Sequence, residues 1–220
     1  MKRSHRIYDA LKRVLDLASS AVLLVILSPA LAVTAVIVRV KLGSPVLFTQ
    51  QRPGRDGRLF TIYKFRSMTS APGDAAAVDA VATDAERLTP FGRALRSTSL
   101  DELPELVNVL LGQMSVVGPR PWLPEYLGRY NERQARRHEV RPGITGWAQV
   151  HGRNALPWAD RLEMDVWYVD HRSFALDARI LGMTVAAVLG RRSVSADDHA
   201  TSRPFDPGAD DGQDAHKEES

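Results

Sequence analysis

Leu17-Ala18-Ser19-Ser20-Ala21-Val22-Leu23-Leu24-Val25-Ile26-Leu27-Ser28-Pro29-Ala30-Leu31-Ala32-Val33-Thr34-Ala35-Val36-Ile37-Val38 carries no charged side chain, and its reading decides the architecture. As a helix it is long enough to cross a bilayer. Three readings compete. A secretory signal peptide would use the basic start, the apolar core and Ala30-Leu31-Ala32 as a cleavage-like tripeptide. Against it, Asp9 and Asp16 lie in the leading region, and apolar sequence continues past the cut. The second reading is a plain spanning helix. The third is a re-entrant helix that dips in and returns to the same face. Ser28-Pro29 lies mid-run, where proline removes a backbone donor and crowds the preceding turn, so a bend is expected. The serine hydroxyl can satisfy a carbonyl that the proline frees. Lys12 and Arg13 before the run, with Arg39 and Lys41 after it, favour a cytoplasmic position for both ends. The pattern alone leaves spanning and re-entry evenly matched; the chemistry downstream favours re-entry.

The chain has 220 residues and a net charge of +3. That length suits one ordinary domain with a real core, plus an appendage. Basic residues concentrate toward the N-terminus, whereas the end is acidic, with Asp206, Asp210, Asp211, Asp214, Glu218 and Glu219. Cations beside an apolar run fit an anionic leaflet better than nucleic acid, so no nucleic-acid partner is expected. Cysteine is absent, which excludes disulfides, thiolate zinc sites and a cysteine nucleophile. The six histidines show no metal-ligand spacing.

Val46–Gln50 and Leu59–Tyr63 read as strands joined by the turn Arg52-Pro53-Gly54-Arg55-Asp56-Gly57. Ser70–Ala85 reads as a surface loop or weak helix, and Leu103–Leu111 as a short helix stopped at Gly112. Trp122–Glu139 has helical character, Arg141–Trp147 is a turn-rich loop, and Arg161–Asp170 and Ala178–Leu189 read as helices. The last is too short to span but suited to an interface. The expected fold is α+β and mainly helical: a re-entrant membrane helix over 1–41, a catalytic domain over 42–192 with a small β-hairpin and interfacial amphipathic helices, and a disordered acidic tail over 193–220.

Three places could carry chemistry. Ser99-Leu100-Asp101-Glu102 fits a helix capping box, with Ser99 as N-cap and Glu102 reaching back. It equally fits paired catalytic carboxylates, since an ionised Asp can attack phosphorus and an adjacent Glu can hold Mg²⁺ on phosphate oxygens. Lys64 and Arg66 alternate with Phe65, so both cations should face one side; the choice is between a protected strand edge and a diphosphate clamp. Arg120, held between Pro119 and Pro121 after Gly118, is either part of a stiff turn or a pre-aimed guanidinium. Arg93, Arg96 and Arg153 are weaker candidates for the same anion. P-loop, dinucleotide and serine-hydrolase signatures are absent from the sequence.

Assembled, these blocks resemble the bacterial sugar transferase family, the small monotopic polyprenol-phosphate phosphoglycosyltransferases. The resemblance runs from about Lys12 to Leu189. It rests on Gln51-Arg52-Pro53-Gly54, Lys64-Phe65-Arg66-Ser67-Met68, Thr89-Pro90-Phe91-Gly92-Arg93, Asp101-Glu102-Leu103-Pro104, Met114 through Pro121, Arg141 through Trp147, Gly152-Arg153, and Asp165 with Tyr168. It implies an enzyme that moves a sugar-1-phosphate from a UDP-sugar to undecaprenyl phosphate and releases UMP, starting polysaccharide or glycan assembly. Asp101 would be the nucleophile, Glu102 would hold Mg²⁺, and Lys64 and Arg120 would stabilise phosphate charge. A re-entrant helix broken at Ser28-Pro29, a site on the cytoplasmic face of the inner membrane, and membrane lipid as a partner go with it; a homo-oligomer remains open. Gln113 departs from the family's frequent acidic residue, so no role is carried to it. Gly152 through Trp158 resembles the branch that uses N-acylated amino sugars.

Two rivals come from other classes. A conventional membrane-associated glycosyltransferase would release UDP, but its Asp-x-Asp motif is absent. A non-catalytic membrane assembly protein would use the acidic pair only as a cap.

Overall fold

The computed structural model describes residues 3–69, 87–152, 156–190 and Phe205. The whole Ser70–Ala85 stretch, Arg153, and the tail from 191 apart from Phe205 lie outside the described residues.

Helix α1 (Arg3–Leu42) is 40 residues long and contains the whole apolar run, with Pro29 inside it. It is long and apolar enough to cross a membrane. Pro29 cannot bond the carbonyl four residues back, which is that of Val25. Ser28 Oγ donates to that oxygen at 2.8 Å, so the serine does what the sequence suggested. Both halves of α1 pack on the rest of the molecule. Tyr8, Lys12, Asp16 and Ser20, four residues apart, form a polar stripe along the N-terminal half. Leu31, Ala35, Val38 and Leu42 form an apolar stripe on the C-terminal half and pack with Phe65 and Leu95. Around Ser28-Pro29 the side chains of Val22, Val25, Ile26 and Val33 are exposed.

Strands β1 (Leu47–Pro53) and β2 (Leu59–Phe65) form the expected antiparallel hairpin, in register from Leu47 opposite Phe65 to Pro53 opposite Leu59. Its turn is a 3-10 segment, Arg55–Gly57. Two short helices follow: α2 (Pro90–Ser97) and α3 (Glu105–Leu110). Gly112, at φ +82, ends the latter's turn as expected.

A parallel pair, β3 (Ser115–Val117) with β4 (Gly143–Thr145), is not foreseen by the sequence, which reads the second strand as loop. Its backbones touch so closely that a Cβ on Gly143 would lie 2.1 Å from the Gly118 nitrogen, so only glycine fits.

The helical character of Trp122–Glu139 resolves into fragments: 3-10 turns at Pro124–Arg129 and Arg136–Glu139 flank α4 (Glu132–Ala135). Charges spread round these segments leave no continuous apolar stripe to hold one long helix. After α5 (Trp147–Val150) come α6 (Trp158–His171) and α7 (Phe174–Leu189), both longer than the sequence suggests. Ser173 Oγ accepts from Leu176 N at the start of α7. The outer face of α7 exposes Phe174, Leu181, Val185 and Leu189.

Phe205, within the segment read as solvated, is 1% exposed and sits among Tyr126, Trp158 and Leu162. An aromatic side chain gains by leaving water wherever an apolar seat exists, whatever the charge of its neighbours.

Candidate active site

The acidic pair lies on a turn between α2 and α3. Thr89 caps the first helix, accepting from Gly92 N at 3.0 Å. Its C-terminal end leads to Ser99, which stands at φ 55, ψ 17 in the left-handed region. Leu100–Glu102 then form one 3-10 turn. The capping box is therefore not made: Ser99 has no side-chain cap bond, because an N-cap needs extended backbone. Left-handed backbone at a non-glycine residue is strained, and such strain gathers at functional sites.

Freed from capping, Glu102 faces cations. Lys64 Nζ donates to Glu102 Oε1 at 2.8 Å, and Arg120 Nη2 donates to the same oxygen at 3.1 Å. Lys64 Nζ also lies 3.0 Å from Glu105 Oε1, close enough for charge attraction but off the line of a hydrogen bond. Asp101 is 8% exposed, and among the described residues its carboxylate accepts no hydrogen bond. Hairpin, acidic turn and Arg120 loop thus converge.

The electrostatics follow from crowding. Burial, then the Glu102 charge, pushes Asp101 up to about 6, against the pull of Lys64, Arg96 and Arg120. Burial likewise raises Glu105 to about 7, with Lys64 opposing. Burial alone would lower Arg120, but Glu102 and Glu105 outweigh it and hold its protonation more firmly. Arg52 is lowered to about 10 by burial and by Arg120. Among the described residues Lys64 and Arg120 touch these carboxylates, and the Arg96 charge also reaches Asp101.

Neighbouring residues fix this arrangement. Buried Asn108 accepts from Tyr63 N at 3.1 Å and donates to Thr61 O at 2.7 Å, locking α3 to the strand that carries Lys64. It also donates to Gln113 Oε1 at 2.7 Å, so Gln113 supports Asn108. Arg13 of α1 donates to Val109 O at 2.7 Å and Leu110 O at 3.2 Å, capping α3. Buried Arg137 donates to the Arg120 carbonyl and, at 2.6 Å, to Asp165 Oδ2, holding the Arg120 loop from behind.

The other sequence candidates divide. Arg96 donates to Ser67 Oγ at 2.9 Å, and its charge reaches Asp101. Pro119 is buried, its carbonyl accepting from Gly143 N at 3.0 Å. Arg66 does not join Lys64: it donates to the carbonyls of Leu42 and Ser44, at the end of α1. The strand ends at Phe65, so alternation no longer aims the next side chain. Arg93 is exposed and donates to Leu88 O at 3.3 Å. Arg153 lies outside the described residues. Sequence reading missed Glu105, Asn108 and the site role of Arg52; the signal available was spacing, since Glu102, Glu105 and Asn108 recur every three residues.

Among the described residues no cluster of three or more His, Asp or Glu could hold a metal by itself. The donor set nevertheless fits Mg²⁺, which takes one or two carboxylates and fills its octahedron with waters and phosphate oxygens.

A family model for bacterial sugar transferases matches residues 7–191. The chain is 50% identical over 195 residues to EpsL of Bacillus subtilis, an uncharacterised sugar transferase, covering 89% of this chain and 95% of that one. It is 42% identical over 182 residues to the UDP-glucose:undecaprenyl-phosphate glucose-1-phosphate transferase of Klebsiella pneumoniae, covering 79% of this chain and 39% of that enzyme. It is 37% identical over 189 residues to an N-acetylgalactosaminephosphotransferase of Aeromonas hydrophila acting on the UDP-sugar and undecaprenyl phosphate, 83% of this chain and 44% of that one. The chain thus spans nearly all of the Bacillus protein and less than half of the two named enzymes.

Proposed function

The chain belongs to the bacterial sugar transferase family, and from that premise we propose that it transfers a sugar-1-phosphate from a UDP-sugar to undecaprenyl phosphate, releasing UMP. The observation that carries the reading is the convergence of Lys64 and Arg120 on Glu102, beside an Asp101 carboxylate that no hydrogen bond from the described residues holds.

An Asp101 oxygen attacks the β-phosphorus of the donor. The bond from that phosphorus to the bridging oxygen breaks, and UMP leaves with the oxygen and its electron pair. The sugar phosphate is left on Asp101 as a mixed anhydride. A phosphate oxygen of undecaprenyl phosphate then attacks the same phosphorus, and the Asp101 carboxylate departs, leaving a lipid-linked diphosphosugar. Neither leaving group needs a proton, which suits a site where Lys64 and Arg120 supply the positive charge. Lys64 and Arg120, parked on Glu102 here, are within reach of the charge that gathers on the phosphate oxygens. Glu102 would hold Mg²⁺, which when bound supplies further charge neutralisation on those oxygens.

The lipid substrate and the soluble donor meet only at a membrane surface. In this reading residues 1–41 are the anchor and 42–192 carry the chemistry. Both halves of α1 pack on one globular body while the Ser28-Pro29 region is exposed, which supports a helix that enters and returns on one face over one that crosses. The apolar outer face of α7 supports an interfacial position for that helix.

The test is nucleotide release. Membrane-extracted protein is given undecaprenyl phosphate, Mg²⁺ and a panel of UDP-sugars, with Asp101→Asn alongside. UMP from the native chain and none from the variant is expected. UDP would make it a conventional glycosyltransferase, and turnover by Asp101→Asn would remove the nucleophile assignment.

A further inference from the structure

Phe205 is the only aromatic residue after Phe174, set between Pro204 and Asp206-Pro207 in an otherwise polar end. Its ring lies 5.3 Å from that of Trp158, 5.6 Å from Tyr130 and 5.7 Å from Tyr126. Its carbonyl accepts from Arg129 Nη1 at 2.8 Å. Edge-on and tilted rings, a backbone hydrogen bond and burial to 1% exposure make a specific seat. The walls of that seat run straight into the proposed site. Trp122, two residues after Arg120, packs against the cluster, its ring 4.6 Å from Trp158. The Arg161 guanidinium lies over the Trp158 ring at 4.9 Å. Arg137 holds the Arg120 carbonyl on the loop's other side.

We propose that Phe205 is an intramolecular ligand of this aromatic cup, and that its seating braces the Trp122 end of the loop that aims Arg120. Phe205 is thus a positioning residue acting through Trp122, and the C-terminal segment is its carrier. The occupant is this chain's own segment, because the phenyl ring fills the cup and Arg129 reads its carbonyl. The bracing of Arg120 rests on the proposed transferase reading; the seating does not.

The experiment uses full-length Phe205→Ala and Phe205→Leu, with a synthetic peptide of residues 201–209 supplied in trans. Tryptophan emission reports the cup directly through Trp122 and Trp158, with no turnover required. Expected is a saturable emission change when the peptide is added to Phe205→Ala, and none with a peptide carrying alanine at 205. The same variant should show KM for the UDP-sugar raised about tenfold with kcat much less affected, restored by the peptide. Phe205→Leu, which keeps apolar volume, should fall between. Absence of any emission response to the native peptide overturns the seating. A response with KM unmoved leaves the seating and overturns the bracing of Arg120. If the native chain turns over no UDP-sugar, the transferase reading fails while the emission result still decides the seating.

Discussion

Lys64 Nζ donates a 2.8 Å hydrogen bond to Glu102 Oε1, joining the hairpin to an acidic turn 38 residues away. Glu105 Oε1 flanks the same ammonium at 3.0 Å. Among the described residues Lys64 touches two of the site's carboxylates directly, so its removal tests the whole cluster. Lys64→Met should lower kcat/KM for UMP release by about 10²–10³-fold, the usual scale for losing one preorganised charge. Unchanged turnover would mean that the ammonium serves only to hold the hairpin.

Activity should fall on the acid side as the carboxylate pair takes up a proton near 6, the value to which burial and Glu102 raise Asp101. The Arg96 charge opposes that rise. Arg96→Gln should therefore move the acid limb of kcat/KM upward, by a few tenths of a unit to about one unit. A pH–rate profile of both proteins checks it, and an unmoved limb would place the limiting proton elsewhere.

Glu105 titrates higher in the folded protein, at about 7, than its ordinary value of 4.5. The folded state then binds that proton more tightly than the unfolded chain, so stability falls as pH rises from about 4.5 through about 7. Glu105→Gln removes the slope. Its Tm should exceed that of the native chain at pH 8, by on the order of 1–3 kcal/mol of stability, and the two should converge below pH 4.5. Thermal unfolding in detergent at several pH values reads this directly. A Tm for Glu105→Gln below the native value at pH 8 would show that the ionised pair with Lys64 stabilises the fold.

The hydroxyl of Ser28 serves the carbonyl that Pro29 leaves without a donor. With no native cysteine in the chain, single cysteines can report sidedness cleanly. Cysteines placed at Lys2 and at Lys41 should both resist an impermeant thiol reagent in intact cells and react once the cells are opened. Pro29→Ala should make labelling of one end from outside appear, because an uninterrupted helix of this length can cross. External labelling of Lys2→Cys in the otherwise native chain would contradict re-entry.

The sequence by itself determined the elements whose signals are local. The apolar run, the serine beside its proline, the β-hairpin with its turn residues and the glycine that ends α3 each express a preference within a few neighbouring residues. The ordered blocks from Gln51 to Trp147 were equally legible as a family pattern. What only the tertiary structure decided was which charges meet. Ser99-Leu100-Asp101-Glu102 reads as a helix cap until Ser99 adopts left-handed backbone and Glu102 turns to Lys64 and Arg120. Lys64 and Arg66 look equivalent along the chain, yet one reaches the acidic turn and the other holds the end of α1. Glu105 gains importance only when burial raises it beside Lys64. Phe205 looks like part of a solvated tail until an aromatic cup from distant segments encloses it. Backbone preference acts over a few residues, whereas charge pairing and burial depend on distances in space that only the folded chain sets.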